Sequence, residues 1–369
     1  MIFSCDRSVL YETFGIVSRS IPAKNALPVL SCFLIQADST GKITVTGFDM
    51  DLGITTTLEG DVTDPGKIAV DAKMLLDIMR SMEPGSVTFT ENDNKTVTVS
   101  GGSSEYILPY IDADTFPERP AAEGCDYFTI DQKVLHSVIR QTIFAVSQSD
   151  VKGIYTGAYF NIHDGLLEVV CTDSFRFAMR TEKYECDKTS SFLVQGRVLN
   201  ELIKIMKNED GQVRIGLTGR HIVFEFDNSR MISRLVDGTY MNYSQILPKG
   251  FKYTVTVKTA ELKKVVERAS VLISEKMKAP VRISLENNRI FITCRTADGH
   301  SFDDEIEADI CGSPFEIGVN NRNLLNVLSA CECEEVIMNF NSPLSSICFL
   351  PKEGDSFLFL LAPMRLSGK

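Results

Sequence analysis

Apolar residues repeat along this chain in three segments of nearly constant spacing. The segments VDAKMLLDIMRSM, VQGRVLNELIKIM and VNNRNLLNVLSAC begin at Val70, Val194 and Val319, which are 124 and 125 residues apart. Within each segment the apolar positions recur at i, i+3, i+4 and i+7, the spacing of one face of an amphipathic helix. The predicted buried faces are Leu75-Ile78-Met79-Met82, Leu199-Leu202-Ile203-Met206 and Leu324-Val327-Leu328-Cys331.

A second helix and several strands repeat with the same period. Three apolar pairs spaced seven residues apart each introduce a short strand and then a helix, near residues 7–18, 132–145 and 259–273; the pairs are Phe3/Leu10, Phe128/Leu135 and Val255/Leu262. Alternating apolar residues on both sides of the turn ENDN predict a hairpin, which recurs in each copy. Ser104, Ser229 and Ser356 each open a last strand. We therefore predict an α+β fold with three copies of one domain, each with two helices packed on antiparallel sheets.

Two stretches rich in Pro, Gly and Asp separate the copies. They are DADTFPERPAAEGC from Asp112 and DGTYMNYSQILPKG from Asp237, and both are typical of linkers. They predict domains at 1–122, 123–250 and 251–369. The terminal segment PMRL stands where the other copies begin a linker, so it either packs on its own domain or also offers a surface to a partner.

The charge is distributed unevenly. The whole chain has a formal net charge of −11, which argues against nucleic acid as a partner. The six predicted helical segments (6–19, 73–82, 131–145, 197–208, 260–278 and 320–331) nevertheless carry fifteen basic and eight acidic residues, a net +7, which leaves −18 for the rest. Each lysine alone is typical of a solvated helix face. The systematic division favours a basic helix layer that binds a polyanion through its phosphates.

A ring with the helices inside would need two chains. Six helices spaced ~10 Å apart would enclose a hole of only ~9 Å, whereas twelve would leave ~28 Å, enough for B-DNA of roughly 20 Å. A chain that encircles DNA must then do so as a head-to-tail pair, and a two-fold ring of this type closes without open edges.

Other classes of protein find little support. The ten Cys have no framework or metal-site spacing and suit a reducing cytoplasm, and Cys331 is better interpreted as a core thiol than as a zinc ligand. The chain has no signal-peptide layout and no apolar run of about 20 residues, so no membrane segment is expected. No catalytic motif appears, although Asp173 with Arg176 could form a catalytic pair; a turn or ion pair is the more common role.

Five stretches in order resemble the bacterial replicative DNA sliding clamp, the beta subunit of DNA polymerase III. They are ALPVLSCFLIQA (26–37), TGFDMDL (46–52), CTDSFRFAM (171–179), SRLVDGTYMNYSQILPK (233–249) and APMRL (362–366). The resemblance implies a homodimeric ring with helices lining the hole. It also implies a processivity factor of DNA replication, without catalysis or cofactors, that tethers the polymerase III catalytic subunit, the clamp loader and other clamp-motif proteins to duplex DNA independently of sequence.

The resemblance also implies site residues. The partner-peptide cleft would comprise Tyr155, Thr172, Ser174, Phe175, Arg176, Phe177, Met241, Gln245, Ile246, Ser346, Leu360, Pro363, Met364, Arg365 and Leu366. The DNA-facing positions would be Lys24, Lys73, Arg80, Gln148 and Arg197. The dimer contact would pair Tyr106 and Leu108 with Val271 and Leu272.

The chain departs from the family pattern at the cleft. Ser174 and Phe175 stand where the family often has Gly and a basic residue or His, Met241 stands where it often has Pro, and Ser367-Gly368-Lys369 follow the usual end. We expect a more aromatic cleft with an altered peptide preference. The alternative function is a scaffold of repeated α+β domains that binds proteins but not DNA, and the basic helix layer favours the clamp over it.

Overall fold

The structure is a computed structural model, and it describes residues 1–22, 27–120, 124–185, 189–273 and 280–366. Six α-helices lie in these residues, two in each predicted copy. They are α1 (Arg7–Val17), α2 (Ala72–Ser81), α3 (Gln132–Thr142), α4 (Gly196–Ile205), α5 (Thr259–Ser270) and α6 (Asn321–Ala330). Each begins within a residue or two of its predicted start.

Side-chain caps explain several of these starts. Asp6 accepts a hydrogen bond from the backbone N–H of Ser8 (2.8 Å), and Asp71 accepts one from Met74 (2.7 Å). Asn320 caps α6 in the same way through Asn323 (3.0 Å). Such caps satisfy backbone donors that have no partner within the helix, and each contributes about 1 kcal/mol.

The strands also follow the threefold repeat. The first copy contains β1 (Ile2–Asp6), β2 (Cys32–Ala37), β3 (Lys42–Phe48), β4 (Leu52–Glu59), β5 (Asp61–Asp64), β6 (Gly66–Asp71), β7 (Ser86–Asn92), β8 (Thr96–Gly101) and β9 (Ser104–Asp112). The second contains β10 (Asp126–Asp131), β11 (Gly157–His163), β12 (Leu166–Thr172), β13 (Arg176–Lys183), β14 (Ser190–Gln195), β15 (Gln212–Leu217), β16 (His221–Phe226) and β17 (Ser229–Arg234). The third contains β18 (Tyr253–Lys258), β19 (Val281–Glu286), β20 (Arg289–Arg295), β21 (Ser301–Glu307), β22 (Asp309–Cys311), β23 (Phe315–Val319), β24 (Glu335–Phe340), β25 (Ile347–Pro351) and β26 (Phe357–Leu361).

The chain divides into two compact units. Unit 1 comprises Met1–Leu135 and Asn200–Leu235, and unit 2 comprises His136–Leu199 and Val236–Lys369. Unit 1 has one antiparallel sheet, in the order β10-β15-β16-β17-β4-β3-β2-β6-β9-β8-β7-β1-β5. Unit 2 has the sheet β14-β11-β12-β13-β26-β25-β24-β18-β22 and the smaller sheet β21-β20-β19-β23. The unit limits differ from the domain limits predicted at 122 and 250, which stay predictions.

Within each unit, the last strand of one copy pairs with a strand of the copy before it. In unit 1, β17 pairs with β4, with Arg230 opposite Thr55. In unit 2, β26 pairs with β13, with Leu358 opposite Met179. The sheet therefore continues from copy to copy through the same pair of strands.

Stacked aromatic rings fill the core of each unit. In unit 1 the ring centroids of Phe3 and Phe89 lie 4.7 Å apart. In unit 2 those of Phe160 and Phe192 lie 5.2 Å apart. Burial of one such side chain stabilises the fold by about 1.5–3 kcal/mol.

The buried face of α4 differs by one residue from its prediction. Ile203 is half-buried, whereas Ile205 and Met206 are buried together with Leu199 and Leu202. Ile205, the last residue of α4, follows Leu202 by three positions and the buried Val198 by seven, so it lies on the buried face, and the four-position template missed it.

Candidate functional site

A tight turn at 172–176 forms one wall of the candidate site in unit 2. Asp173 Oδ1 accepts hydrogen bonds from the backbone N–H groups of Phe175 (2.9 Å) and Arg176 (2.7 Å). Asp173 Oδ2 accepts from Nε (3.0 Å) and Nη2 (2.6 Å) of the Arg176 guanidinium. This side chain therefore closes the turn by bonding backbone groups two and three residues on. The pair that resembled catalytic machinery is a structural ion pair.

Ser174 carries the unusual backbone of this turn. Its φ is +78°, a region that favours glycine. The equivalent turn in unit 1 has Met50 at φ +79°, and Asp49 Oδ1 accepts from the N–H groups of Asp51 (2.9 Å) and Leu52 (2.6 Å). Asp49 and Asp173 are 124 residues apart, so the turn itself belongs to the repeat.

The segment after β26 is fastened to this turn. Arg176 pairs with Leu361 and Phe177 with Leu360 across β13 and β26. The N–H of Ala362 then donates to the backbone carbonyl of Phe175 (2.8 Å). These bonds place Leu360 beside Phe177, and both side chains are buried.

A largely apolar cavity of about 470 Å³ opens beside the turn. Ten of the fifteen predicted cleft residues line it: Tyr155, Thr172, Ser174, Phe175, Arg176, Phe177, Met241, Ile246, Ser346 and Leu360. Phe175 is 61% exposed and Ile246 is 42% exposed, so apolar surface remains open to solvent at the cavity. A cavity of this size with a few polar groups is typical of a ligand site.

Four further residues line this cavity but were not predicted. They are Pro248, Asn341, Ser345 and Ala362. Pro248 lies near the end of the linker, Ala362 follows β26, and the other two lie in the loop between β24 and β25. Ser346, which was predicted, ends the same loop, so its neighbours were the available signal.

Aromatic side chains hold the linker against unit 2. The ring of Tyr240 stacks on Tyr159 with centroids 4.9 Å apart, and Tyr155 meets Tyr240 edge-on at 5.8 Å. The hydroxyl of Tyr155 donates to Sδ of Met241 (3.7 Å). Burial raises the pKa of Tyr240. The linker thus forms a rigid wall of the cavity rather than a loose connection.

A polar cluster fixes the next linker residue. The hydroxyl of Tyr243 donates to Oε2 of Glu168, and Asn161 Nδ2 bonds both that hydroxyl (3.3 Å) and Oε2 (3.4 Å). His163 Nε2 lies 3.1 Å from the same oxygen. Burial alone would raise the pKa of Glu168, but these hydrogen bonds outweigh it and lower the pKa. The bond to Glu168 in turn raises the pKa of His163.

The remaining predicted cleft residues do not line the cavity. Gln245 is exposed in the 3₁₀ turn Tyr243–Gln245, and Pro363, Met364, Arg365 and Leu366 continue past the cavity wall. The N–H of Met364 donates to the carbonyl of Gly318 (2.7 Å). A Cβ at Gly318 would lie 2.7 Å from Cδ2 of Leu366, so the terminal segment packs closely on β23. Ser367-Gly368-Lys369 lie outside the described residues.

The predicted DNA-facing residues are exposed where the structure describes them. Lys73 and Arg80 project from one face of α2, and Arg80 pairs with Asp77 (3.2 Å). Gln148 is exposed, and Arg197 near the start of α4 donates to Gln195 (2.9 Å). Lys24 lies outside the described residues.

The predicted dimer residues lie within β9 and directly after α5. Tyr106 and Leu108 are half-buried in β9, but Ile107 between them is 62% exposed. Val271, which follows α5, is 83% exposed, and Leu272 is half-buried. Strand alternation places Ile107 on the opposite face of β9 from Tyr106 and Leu108. This signal could have identified Ile107, which was not among the predicted dimer residues.

Within the described ranges, no group of three or more His, Cys, Asp or Glu side chains could hold a metal ion. Cys331 is buried, and burial raises its pKa well above the usual range, as expected of a core thiol. In the same ranges, every helix is too short or too polar to cross a membrane.

Sequence comparison matches the whole chain to one family. Three family models, described as the N-terminal, central and C-terminal domains of the DNA polymerase III beta subunit, match residues 1–120, 129–242 and 244–365. A beta sliding clamp from Halalkalibacterium halodurans is 30% identical over 99% of this chain and 100% of the relative. The chain belongs to the DNA polymerase III beta subunit family.

Solved structures of this sliding-clamp family agree with the fold. The DNA polymerase sliding clamp of Bacillus subtilis superposes with a TM-score of 0.94 at 26% identity, covering 100% of both chains. The DNA polymerase III beta subunit of Pseudomonas aeruginosa gives 0.91 at 27% identity, covering 99% of this chain and 100% of the other. The predicted three clamp domains are confirmed. The function is that of a DNA sliding clamp, and a scaffold that binds only proteins is not favoured.

Proposed function

We propose that this clamp works as a head-to-tail homodimeric ring around duplex DNA, without catalysis of its own, in the cytoplasm. Its cleft in unit 2 binds the DNA polymerase III catalytic subunit, the clamp loader and other proteins that carry a clamp-binding motif. Its domains are 1–122, 123–250 and 251–369. The observation that supports a ring is that the repeated strand pairing leaves two strand edges without a partner among the described residues.

Two strand edges lack the partner that the repeat provides elsewhere. The first-copy strand β4 takes β17, and the second-copy strand β13 takes β26. The corresponding third-copy strand β21 is an edge strand, and among the described residues no strand pairs with the outer side of Ser104–Leu108 in β9. Unpaired edges readily accept another strand. Pairing of β21 with β9 of a second chain would repeat the same junction and close a ring.

The repeat also predicts the register of this pairing. Two-residue turns precede β9 and β17, so Ser104 corresponds to Ser229. Thr56 and Asp304 each stand three residues after the first paired residue of their strands, Gly53 and Ser301, so these two residues also correspond. Because Ser229 lies opposite Thr56, Ser104 would lie opposite Asp304 of the second chain. Ile107 would then lie opposite Ser301.

One pair in this register is repulsive. Glu105 would lie opposite Asp303, and like charges at opposed positions destabilise a sheet. Asp303 has a counterion in its own chain, since Arg295 Nη2 lies 2.6 Å from Oδ1. We expect the dimer to form despite this pair, and we expect Glu105→Lys to tighten it.

Exposed cations on the helices support the DNA contact. Lys73 and Arg80 are seven residues apart on α2, so they share a face, and both are exposed. Changing both to Glu should weaken retention on circular DNA and increase its sensitivity to salt, because phosphate contacts release counterions.

The cleft supports binding of a short extended peptide. Phe177, Leu360 and Met241 provide apolar walls, and Arg176, although paired with Asp173, lies at the cavity. Apolar anchors carry most of the binding energy in such sites. The expected guest has a Gln-type residue followed by Leu and Phe. Phe175→Ala should weaken it about tenfold, whereas Met50→Ala, which truncates an exposed apolar side chain in the equivalent turn of unit 1, should not.

Cysteine crosslinking tests the ring. The pair Ile107→Cys and Ser301→Cys should form a disulfide between chains, since opposed residues have Cβ atoms about 4.5–5.5 Å apart. Under oxidising conditions the doubly substituted protein should run as a covalent dimer and should stay on circular DNA, but not on linear DNA, at high salt.

A shifted pair provides the control for this experiment. Ile107→Cys with Asp303→Cys keeps both thiols on the same face but places them two residues out of register. The proposed register requires much slower crosslinking of this pair. Equal rates for the two pairs, or a monomer at micromolar concentration, would contradict the proposed junction.

A further inference from the structure

A second cavity, of about 430 Å³, lies beside the linker of unit 1. Thr55, Phe116, Arg119, Arg230 and Ile232 line it. Its position matches the cleft in unit 2 by the repeat. Phe116 and Met241 each stand four residues after the Asp that begins their linker, and Ile232 and Leu360 hold equivalent positions opposite Gly53 and Phe177.

The two cavities differ in their chemistry. Met179 opposite Leu358 is an apolar pair in unit 2, whereas the equivalent pair in unit 1 is Thr55 opposite Arg230. An exposed cation that lines the cavity in unit 1 thus stands at the position that Leu358 holds in unit 2, where Leu358 does not line the cleft. A guest of this second cavity would need a group that a guanidinium binds.

Two arginine side chains, Arg119 and Arg230, line this cavity. Arg119 Nη1 donates to the hydroxyl of Thr46 (3.2 Å) and to that of Thr55, and no carboxylate of the described residues pairs with it. Arg230 pairs at its Nε with Glu225 (3.4 Å). Burial of the guanidinium and the nearby charge of Arg230 lower the pKa of Arg119. Repulsion between the two cations would fall if an anion bound between them.

The cavity also contains one acidic group. Glu118 lines it and is exposed, and it forms no ion pair within the part of the chain that the structure describes. It therefore does not neutralise either guanidinium. The negative charge of Glu118 would repel an anionic guest. Removal of this charge should therefore strengthen binding, which provides an internal control.

We propose that this cavity is a second docking site, which takes a carboxylate side chain of an extended acidic segment of a partner protein between Arg119 and Arg230. A planar guanidinium matches the two oxygens of a carboxylate. A cavity of about 430 Å³ accommodates a few side chains. Duplex DNA, roughly 20 Å across, is far too wide to enter it.

Peptide titration tests this assignment. The probes are a fluorescent peptide Val-Glu-Val-Glu-Val and its counterpart with Gln in place of Glu, measured by anisotropy with the full-length protein. We expect binding of the Glu peptide to weaken about tenfold or more in Arg119→Gln and in Arg230→Gln, because each loses a charge-assisted hydrogen bond. Glu118→Gln should strengthen it. Arg220→Gln, an exposed change of equal charge outside the cavity, should alter it less than about twofold.

Several outcomes would overturn the assignment. These are equal affinity for the Glu and Gln peptides, an equal loss in Arg220→Gln, or stronger Arg119-dependent binding of inorganic phosphate or of a single-stranded oligonucleotide. Arg119→Gln could also loosen the linker, but Arg230 bonds none of the linker residues that the structure describes, so its variant keeps the test informative. The Gln-Leu-Phe-type peptide measures the cleft in unit 2 separately, and failure here would leave that proposal intact.

Discussion

The two linkers of this clamp meet their sheets through the same strand pairs but with different chemistry. In unit 1, Arg119 fastens the linker to threonine hydroxyls, and the neighbouring cavity is polar. In unit 2, Tyr240 and Tyr243 fasten it, and the neighbouring cavity is largely apolar. The strand pairing is repeated in the two units, so the side chains at a few equivalent positions decide what each cavity can bind.

Placing the residue of unit 1 at the equivalent position of unit 2 should produce the largest effect on stability. Leu358→Arg places the cation of unit 1 into the apolar cluster formed by Phe177, Tyr240 and Leu360. We expect unfolding to become easier by about 2–3 kcal/mol, because a charge would be moved into apolar surroundings without a partner. The measurement is urea denaturation followed by circular dichroism.

The reverse exchange is the matched control. Arg230→Leu removes only an exposed ion pair with Glu225, which is worth at most about 1 kcal/mol. It should leave the free energy of unfolding within about 0.5 kcal/mol of the wild type. Equal destabilisation by both exchanges would contradict the contrast between the apolar surroundings of Leu358 and the exposed position of Arg230.

The terminal segment provides the next largest effect. Gly318→Ala introduces a Cβ 2.7 Å from both the carbonyl of Met364 and Cδ2 of Leu366. We expect a destabilisation of about 1–3 kcal/mol from this overpacking. Peptide affinity of the cleft should change little, since residues 363–366 do not line the cavity. A large loss of peptide affinity with unchanged stability would instead assign the tail to the binding site.

Much of this architecture follows from the sequence because its signals are periodic. The stripe Leu75-Ile78-Met79-Met82 predicted both a helix and its buried face, and all four side chains are buried. The Asp that closes the turn also recurs at this repeat length, as Asp49 and Asp173, but the predicted elements did not include the turn. Periodic burial needs only local sequence, so it can be identified without tertiary contacts.

The cavities could not be predicted as fully because they depend on contacts between distant segments. The pairing of β13 with β26 brings residues near 177 and 360 together, and no local pattern specifies that pairing. Likewise, nothing in the sequence PMRL indicates that Met364 bonds Gly318. The family resemblance supplied the ten residues that line the cleft, but it missed the polar cavity of unit 1.

A glycine substitution in the turn that both units share should change the stability by the same amount in each unit. Ser174→Gly and Met50→Gly remove a side chain from a backbone with φ near +78°. Relief of strain of about 1–2 kcal/mol, partly offset by the greater freedom of Gly in the unfolded chain, should stabilise each variant by about 0.5 kcal/mol. Ser174→Ala keeps the strain and should show no gain. A gain in only one unit would show that the two turns are not equivalent.

Histidines in the two units should give small pH effects of opposite sign. The folded-state pKa of His163 in unit 2 is raised above 6.5 by Glu168, so its stabilisation is complete below about pH 6.5 and is lost as pH rises through that pKa. The pKa of Glu168 is lowered below 4.5, so its contribution is lost as pH falls through that pKa. The pair should therefore stabilise most between about pH 4.5 and 6.5.

In unit 1 the effect of pH on stability has the opposite sign, because burial and the charges of Arg234 and Arg220 lower the pKa of His221 below 6.5. Protonation then opposes folding, and stability rises with pH through this region. His163→Gln should cost up to about 1 kcal/mol at pH 5.5 and less at pH 8.5, whereas His221→Gln should gain stability at pH 5.5 relative to pH 8.5. Denaturation of both variants and the wild type at the two pH values measures this. The same pH trend in both variants would contradict the opposite charge environments.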